Sequence, residues 1–170
     1  ILPTANFQGG SLPSLDPLVE AISPERRAER ASCACCTIGC EHRFPADSPG
    51  KTVRLEYESV FAMGPLCGIN DPDAMKRAVA ACDDHGLDTI STGGTIAFLM
   101  ECTERGWIDG KLGTGRSLRF GDPEALLEAI DDLAHRHGPT GELLAMGSRR
   151  AAERIGPEAL AIAPQVKGME

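Results

Sequence analysis

The sequence has no surplus of positive charge. Its 17 Lys and Arg stand against 25 Asp and Glu, a formal net charge of -8. That balance argues against nucleic acid or an anionic membrane as partner, because both need a basic face. No apolar run approaches the length that spans a bilayer. A basic segment followed by an apolar stretch, the mark of a secretion signal, is missing at the start. So is an initiator Met: the chain opens on Ile1-Leu2-Pro3-Thr4 and stops at Lys167-Gly168-Met169-Glu170, which reads as a segment of a longer protein. There is no internal repeat, low-complexity tract or linker, and 170 residues suit a single domain with a real core.

What the chain does have is cysteine, seven in all, four of them within eight residues. A disulfide scaffold is the default for a short secreted protein. The odd count, the clustering and the missing secretion signal favour cytosolic metal or redox use. Cys33, Cys36 and Cys40 have the spacing C-x2-C-x3-C. Turn structure would bring them to one side while Cys35 points elsewhere, and Gly39 lets backbone approach an inorganic centre closely. Iron–sulfur clusters are held by such thiolates, usually four. Zinc is the rival, with His42 completing four ligands; unliganded cysteines are the third reading. Cys67, Cys82 and Cys102 lie in helical or apolar contexts and read as core.

Helix starts recur. Asp or Ser before Pro joins an N-cap to a first-turn residue whose missing N–H the helix does not use, and the chain has Asp16-Pro17, Ser23-Pro24, Asp71-Pro72 and Asp122-Pro123. Met75, Ala78, Val79 and Cys82 form an apolar stripe that ends at Gly86-Leu87. Ile96, Leu99, Met100 and Thr103 mark a second helix, capped by Gly106. Leu126, Leu127, Ile130 and Leu133 mark a third, with His135, Arg136 and His137 in its last turn and Gly138 as its stop. The histidines there read as structural, facing a helix C-terminus. A fourth helix is expected over 143–155. Only Val53 to Tyr57 alternates like a strand, and Gly9-Gly10, Gly93-Gly94 and 110–115 read as turns or loops. The expected fold is mainly α: a multihelical domain with one short strand or β-hairpin.

Two acidic segments carry candidate chemistry. In Asp83-Asp84-His85-Gly86-Leu87-Asp88-Thr89, carboxylates flank a helix stop and exposed N–H donors open the next helix, a turn that can grip a heterocycle. An ordinary cap with solvated acids reads equally well. In Glu56-Tyr57-Glu58-Ser59, at the end of the strand, a carboxylate projecting into an apolar cavity is a candidate general base or acid; a surface acid pair is the plain alternative.

In order and spacing the cysteine triplet, Glu56-Tyr57-Glu58, Gly64-Pro65-Leu66-Cys67-Gly68-Ile69 and the run from Cys82 to Gly94 together resemble the aldehyde ferredoxin oxidoreductases, tungsten- or molybdenum-pterin enzymes. The resemblance extends from Leu2 to Glu170 and implies the helical middle domain of a three-domain enzyme, over 1–170. The N-terminal β domain and the C-terminal helical domain are then missing, and with them the fourth cluster cysteine. It further implies that Cys33, Cys36 and Cys40 are three ligands of a 4Fe-4S cluster. Asp83, Leu87, Asp88 and Thr89 would contact one of two pterins that hold the metal. Glu58 would activate water or steer a proton. Aldehydes would be oxidised to carboxylic acids in the cytoplasm, with electrons passing through the cluster to ferredoxin. A homodimer is the family expectation, and the segment alone is expected to be inactive. Two other classes stand beside this reading: a small electron carrier with Cys67 as fourth ligand, and a zinc-stabilised helical binding module.

Overall fold

A computed structural model describes residues 3–10, 14–46 and 50–169. Ile1, Leu2 and Glu170, at the edges of the resemblance, lie outside them. Among the described residues there are eight α-helices and one three-stranded sheet: α1 Asp16–Ala21, β1 Glu29–Ala31, β2 Glu41–Pro45, β3 Thr52–Leu55, α2 Tyr57–Met63, α3 Pro72–His85, α4 Thr89–Glu104, α5 Pro123–His135, α6 Gly138–Leu144, α7 Ser148–Ile155 and α8 Pro157–Ile162. The mainly helical expectation holds. None of these helices is long and apolar enough to cross a membrane.

Local chemistry sets both ends of α3 and the start of α5. The Asp71 carboxylate accepts from the N–H groups of Asp73 and Ala74, and Asp122 does the same for Glu124 and Ala125. Gly86 takes the left-handed conformation at φ 68°, and the Leu87 N–H then bonds back to the Cys82 carbonyl. Ser23-Pro24 opens no helix. It makes a turn in which the Arg26 N–H donates to the Ser23 carbonyl, and the chain passes into β1. The residues that follow, Glu25 to Arg30, offer no apolar stripe to bury.

The core is organised around α4, buried without a break from Thr92 to Cys102. Gly93 and Gly94 lie inside this helix, not in a loop, because α2 passes so close. A Cβ added at Gly93 would sit 2.6 Å from the Ala62 carbonyl oxygen. Glycine costs a helix interior about 1 kcal/mol relative to alanine, and here the helix–helix approach offsets it. Met75, Ala78, Val79 and Cys82 of α3 are buried as expected. Helix α5 ends at His135, with Arg136 and not Gly138 supplying the left-handed cap at φ 55°. The helix expected over 143–155 is broken in two by Gly147 at φ 77°.

The three strands form an antiparallel sheet in the order β1-β2-β3, registered by Ala31↔Glu41 and by Phe44↔Val53. Phe44, Val53 and Leu55 point into the core. Strand β2 carries little apolar alternation, since its other buried residue is Glu41. That carboxylate lies 3.2 Å from the Arg43 guanidinium and 3.9 Å from that of Arg54.

Candidate functional site

The cysteine triplet occupies the loop 32–40 that joins β1 to β2. Cys33, Cys35 and Cys40 are exposed and Cys36 is half-buried. The loop closes on itself by turns: the Cys36 N–H donates to the Cys33 carbonyl, while Cys35 and Gly39 take φ of 63° and 59°. Arg30 holds its far side, donating from Nε to the Gly39 carbonyl at 2.7 Å and from Nη2 to that of Ile38 at 2.6 Å. A side chain at Gly39 would meet the Arg30 Nε at a tight 3.2 Å, and the φ of 59° itself favours glycine.

Among the described residues, neither the three cysteines nor His42 belong to a group whose ligand atoms gather within 4.8 Å. A single zinc ion needs its donors closer than that. Three thiolates on one loop are the donor type that an iron–sulfur cluster takes. His42 is engaged elsewhere, its Nε2 lying 3.3 Å from Arg27 Nη1. Burial, and then the neighbouring Arg27 and Arg30, lower its pKa.

The remaining cysteines contrast with these. Cys67, Cys82 and Cys102 are buried, and burial pushes each thiol up to about 12. Cys67 Sγ donates to the Ala62 carbonyl at 3.3 Å from inside the α2–α4 contact. A protonated thiol shut in the core cannot join the exposed loop as a fourth ligand, which removes the electron-carrier reading built on it.

The acidic segments meet. Glu58, Asp83, Leu87, Asp88 and Thr89 all line one cavity of about 360 Å³. Asp83 comes from the last turn of α3, Leu87 follows its glycine cap, and Asp88 and Thr89 open α4. Glu58 is not on a strand end: β3 stops at Leu55, and Glu58 projects, exposed, from the first turn of α2. Nor is the cavity the apolar one expected, for Arg54 and Glu56 share its wall.

The α2 and α4 starts are tied together, since Ser59 Oγ and Thr89 Oγ1 lie 3.1 Å apart. Asp88 Oδ2 accepts from the Ser91 N–H at 2.8 Å and so caps α4. Among the described residues no protein donor meets the carboxylates of Glu58 and Asp83. Sequence reading passed over Arg54, whose Nη2 lies 3.6 Å from Glu56. Its outward position in the alternating Val53-Arg54-Leu55 was the available signal.

A second cavity, of about 400 Å³, is lined by Cys40, Gly39, His42 and Tyr57. Glu56 lines both cavities. The junction of β3 with α2 is therefore a thin partition between the cysteine loop and the acidic turn.

Comparison with known proteins shows the family of the chain. The family model "Aldehyde ferredoxin oxidoreductase, domains 2 & 3" matches residues 1–170. A tungsten-containing aldehyde ferredoxin oxidoreductase from Pyrococcus furiosus is 41% identical over 158 residues, and one from Thermococcus kodakarensis 39% identical over 158; each match covers 92% of this chain and 26% of the relative. The chain thus spans about a quarter of the length of these curated relatives. The WOR-like subunit of an aliphatic sulfonate oxidoreductase, also from Pyrococcus furiosus, is 32% identical over 118 residues, covering 67% of this chain and 19% of the relative. Among solved structures, the BamBC active-site complex of benzoyl coenzyme A reductase with 1,5-dienoyl-CoA superimposes with a TM-score of 0.69, covering 86% of this chain and 22% of that one. At 23% identity that likeness shows the fold. The chain belongs to the aldehyde ferredoxin oxidoreductase family.

Proposed function

We propose that this chain is the helical middle domain of an enzyme that oxidises aldehydes to carboxylic acids and passes the electrons to ferredoxin. The observation that carries the reading is the meeting of Glu58, Asp83, Leu87, Asp88 and Thr89 around one cavity, which shares Glu56 with the cavity beside the cysteine loop. When bound, a tungsten (or molybdenum) bis-pterin supplies the two-electron chemistry and a 4Fe-4S cluster carries electrons away singly. The tungsten-containing relatives favour tungsten.

The residues present fit both groups. Asp83 and the second oxygen of Asp88 are free to accept from ring N–H groups of a pterin, and Leu87 would add apolar contact at the cavity wall. The first turn of the 16-residue α4, with the Thr89 hydroxyl held by Ser59, offers N–H groups and a positive dipole end to anionic substituents. Cys33, Cys36 and Cys40 offer three thiolates, and the fourth ligand belongs to a part of the enzyme outside this chain. For that reason this chain alone is expected not to turn over aldehyde with a viologen acceptor.

Oxidising an aldehyde to an acid consumes one water and releases two electrons and two protons. Glu58, exposed at the cavity wall, is placed to take a proton as water adds to the carbonyl carbon. Glu58→Gln in the holoenzyme should keep its pterin and iron while kcat falls about 100-fold or more. An unchanged kcat across the pH profile would remove Glu58 from the reaction.

A further inference from the structure

Three imidazoles and two carboxylates that neither cavity uses meet where α3 and α5 end. Asp131 Oδ1 lies 3.2 Å from His135 Nδ1 and 3.7 Å from His85 Nε2, and Asp131 Oδ2 lies 3.9 Å from His137 Nδ1. Asp131, His135 and His137 each offer a ligand atom, and these atoms all lie within 4.8 Å of one another; no other such group occurs among the described residues. The ring of His85 stands edge-on to that of His135 at 5.2 Å.

The backbone explains the convergence. Asp131 and His135 are one helical turn apart on α5, so they share a face. His137 lies beyond the helix, but Arg136 adopts the left-handed conformation at φ 55°, and the His137 N–H bonds back to the Asp132 carbonyl at 2.9 Å. The chain reverses and His137 stacks on His135, with ring centroids 5.2 Å apart and planes 16° from parallel. A left-handed residue other than glycine is uncommon, and this one folds a second imidazole onto the first. The Arg136 guanidinium lies 3.6 Å from Glu142. Asp132, buried and anchored by the Gly113 N–H at 2.8 Å, sets its Oδ1 3.5 Å from His137 Nδ1. A buried carboxylate that orients a ligand imidazole recurs at metal sites.

We propose that Asp131, His135 and His137 form a surface site for a borderline divalent cation (Zn²⁺, Ni²⁺ or Cu²⁺), and that His85 of α3, outside this close group but with Nε2 3.7 Å from Asp131 Oδ1, turns in as the fourth ligand. Imidazole suits these ions, and one carboxylate with several imidazoles is a familiar donor set for them. The site is separate from the cysteine loop and from the acidic cavity. Because its ligands come from two helices, the bound ion fastens the end of α3, which carries Asp83, to the end of α5.

The test is equilibrium dialysis of Ni²⁺ against the cluster-loaded holoprotein, with metal counted per chain, for wild type and the His135→Gln/His137→Gln and His85→Gln variants. All three histidines are at least partly exposed, so the variants should fold, and circular dichroism checks this. Wild type should bind one Ni²⁺ saturably in the micromolar range and gain thermal stability with it. The double variant should lose both effects, and His85→Gln should weaken binding about 10-fold. Saturable binding that survives the double variant, or no saturable binding below millimolar Ni²⁺ in wild type, would overturn the site. Unaltered affinity in His85→Gln would overturn the fourth ligand.

Discussion

The loop 32–40 and the turn 83–89 both present groups for cofactors, and they are built in opposite ways. The acidic turn is preorganised by protein contacts. Asp88 caps α4, Thr89 is held by Ser59, and Gly93 lets α2 press against α4 one turn into the helix. The cysteine loop rests on one strand residue, Arg30, and on its own turns, with three of its four thiols in solvent. On the proposed function, the acidic turn would stand as a pterin site before its ligand arrives, whereas the cysteine loop would take its final geometry from the cluster, because metal binding and local folding are coupled. The cysteines show the same division: four lie outside the core and three inside, held protonated by burial.

The largest expected effect breaks the loop half of this comparison alone. In the holoenzyme, Cys40→Ser should lose nearly all cluster iron and ferredoxin-linked turnover while pterin content stays at the wild-type level. Joint loss of both would mean that the two sites are not independent. The buried thiols set the next effect. A thiol whose pKa is raised in the folded state binds its proton more tightly there than in the unfolded chain. Its stabilisation is complete below the ordinary value of 9.0 and is lost as pH climbs toward about 12. Urea midpoints should fall across that window, and in native protein freed of iron, iodoacetamide at pH 8 should label the loop cysteines but not Cys67.

Gly93→Ala attacks the preorganised half. The new methyl must push Ala62 away, at a cost of about 1–3 kcal/mol in urea unfolding. An unchanged midpoint would mean that α2 and α4 do not pack as described. Asp88→Ala removes the α4 cap and should cost about 1 kcal/mol. Smallest of all, Cys35→Ser should leave iron content unchanged, since its backbone turns away from the C-x2-C-x3-C series at φ 63°.

What the sequence revealed followed from local chemistry. Asp-Pro pairs marked α1, α3 and α5, and the Gly86-Leu87 cap showed where α3 stops, because each depends on neighbours within a turn. Gly93-Gly94 misled for the opposite reason: only the passing backbone of Ala62, thirty-one residues before Gly93, explains glycine at that point of a buried helix. Strand β2 was illegible because Phe44 is its only large apolar residue facing the core, while Glu41 is buried on the opposite face beside Arg43 and Arg54. The site residues were legible as motifs, but their meeting was not. Glu58 was expected at a strand end and reaches the cavity from a helix start, and Arg54 and Ser59 carry no motif. The meeting of the histidines was hidden because His85 comes from another helix and because Arg136, not the expected Gly138, makes the left-handed turn.

The account rests on the acidic turn being a pterin site, and that is measured most directly by the pterin released on oxidation of the purified Asp83→Asn/Asp88→Asn holoprotein. The account predicts fluorescent pterin well below the wild-type yield, with cluster iron retained and the fold intact by circular dichroism. A full yield of pterin from the double variant would contradict it.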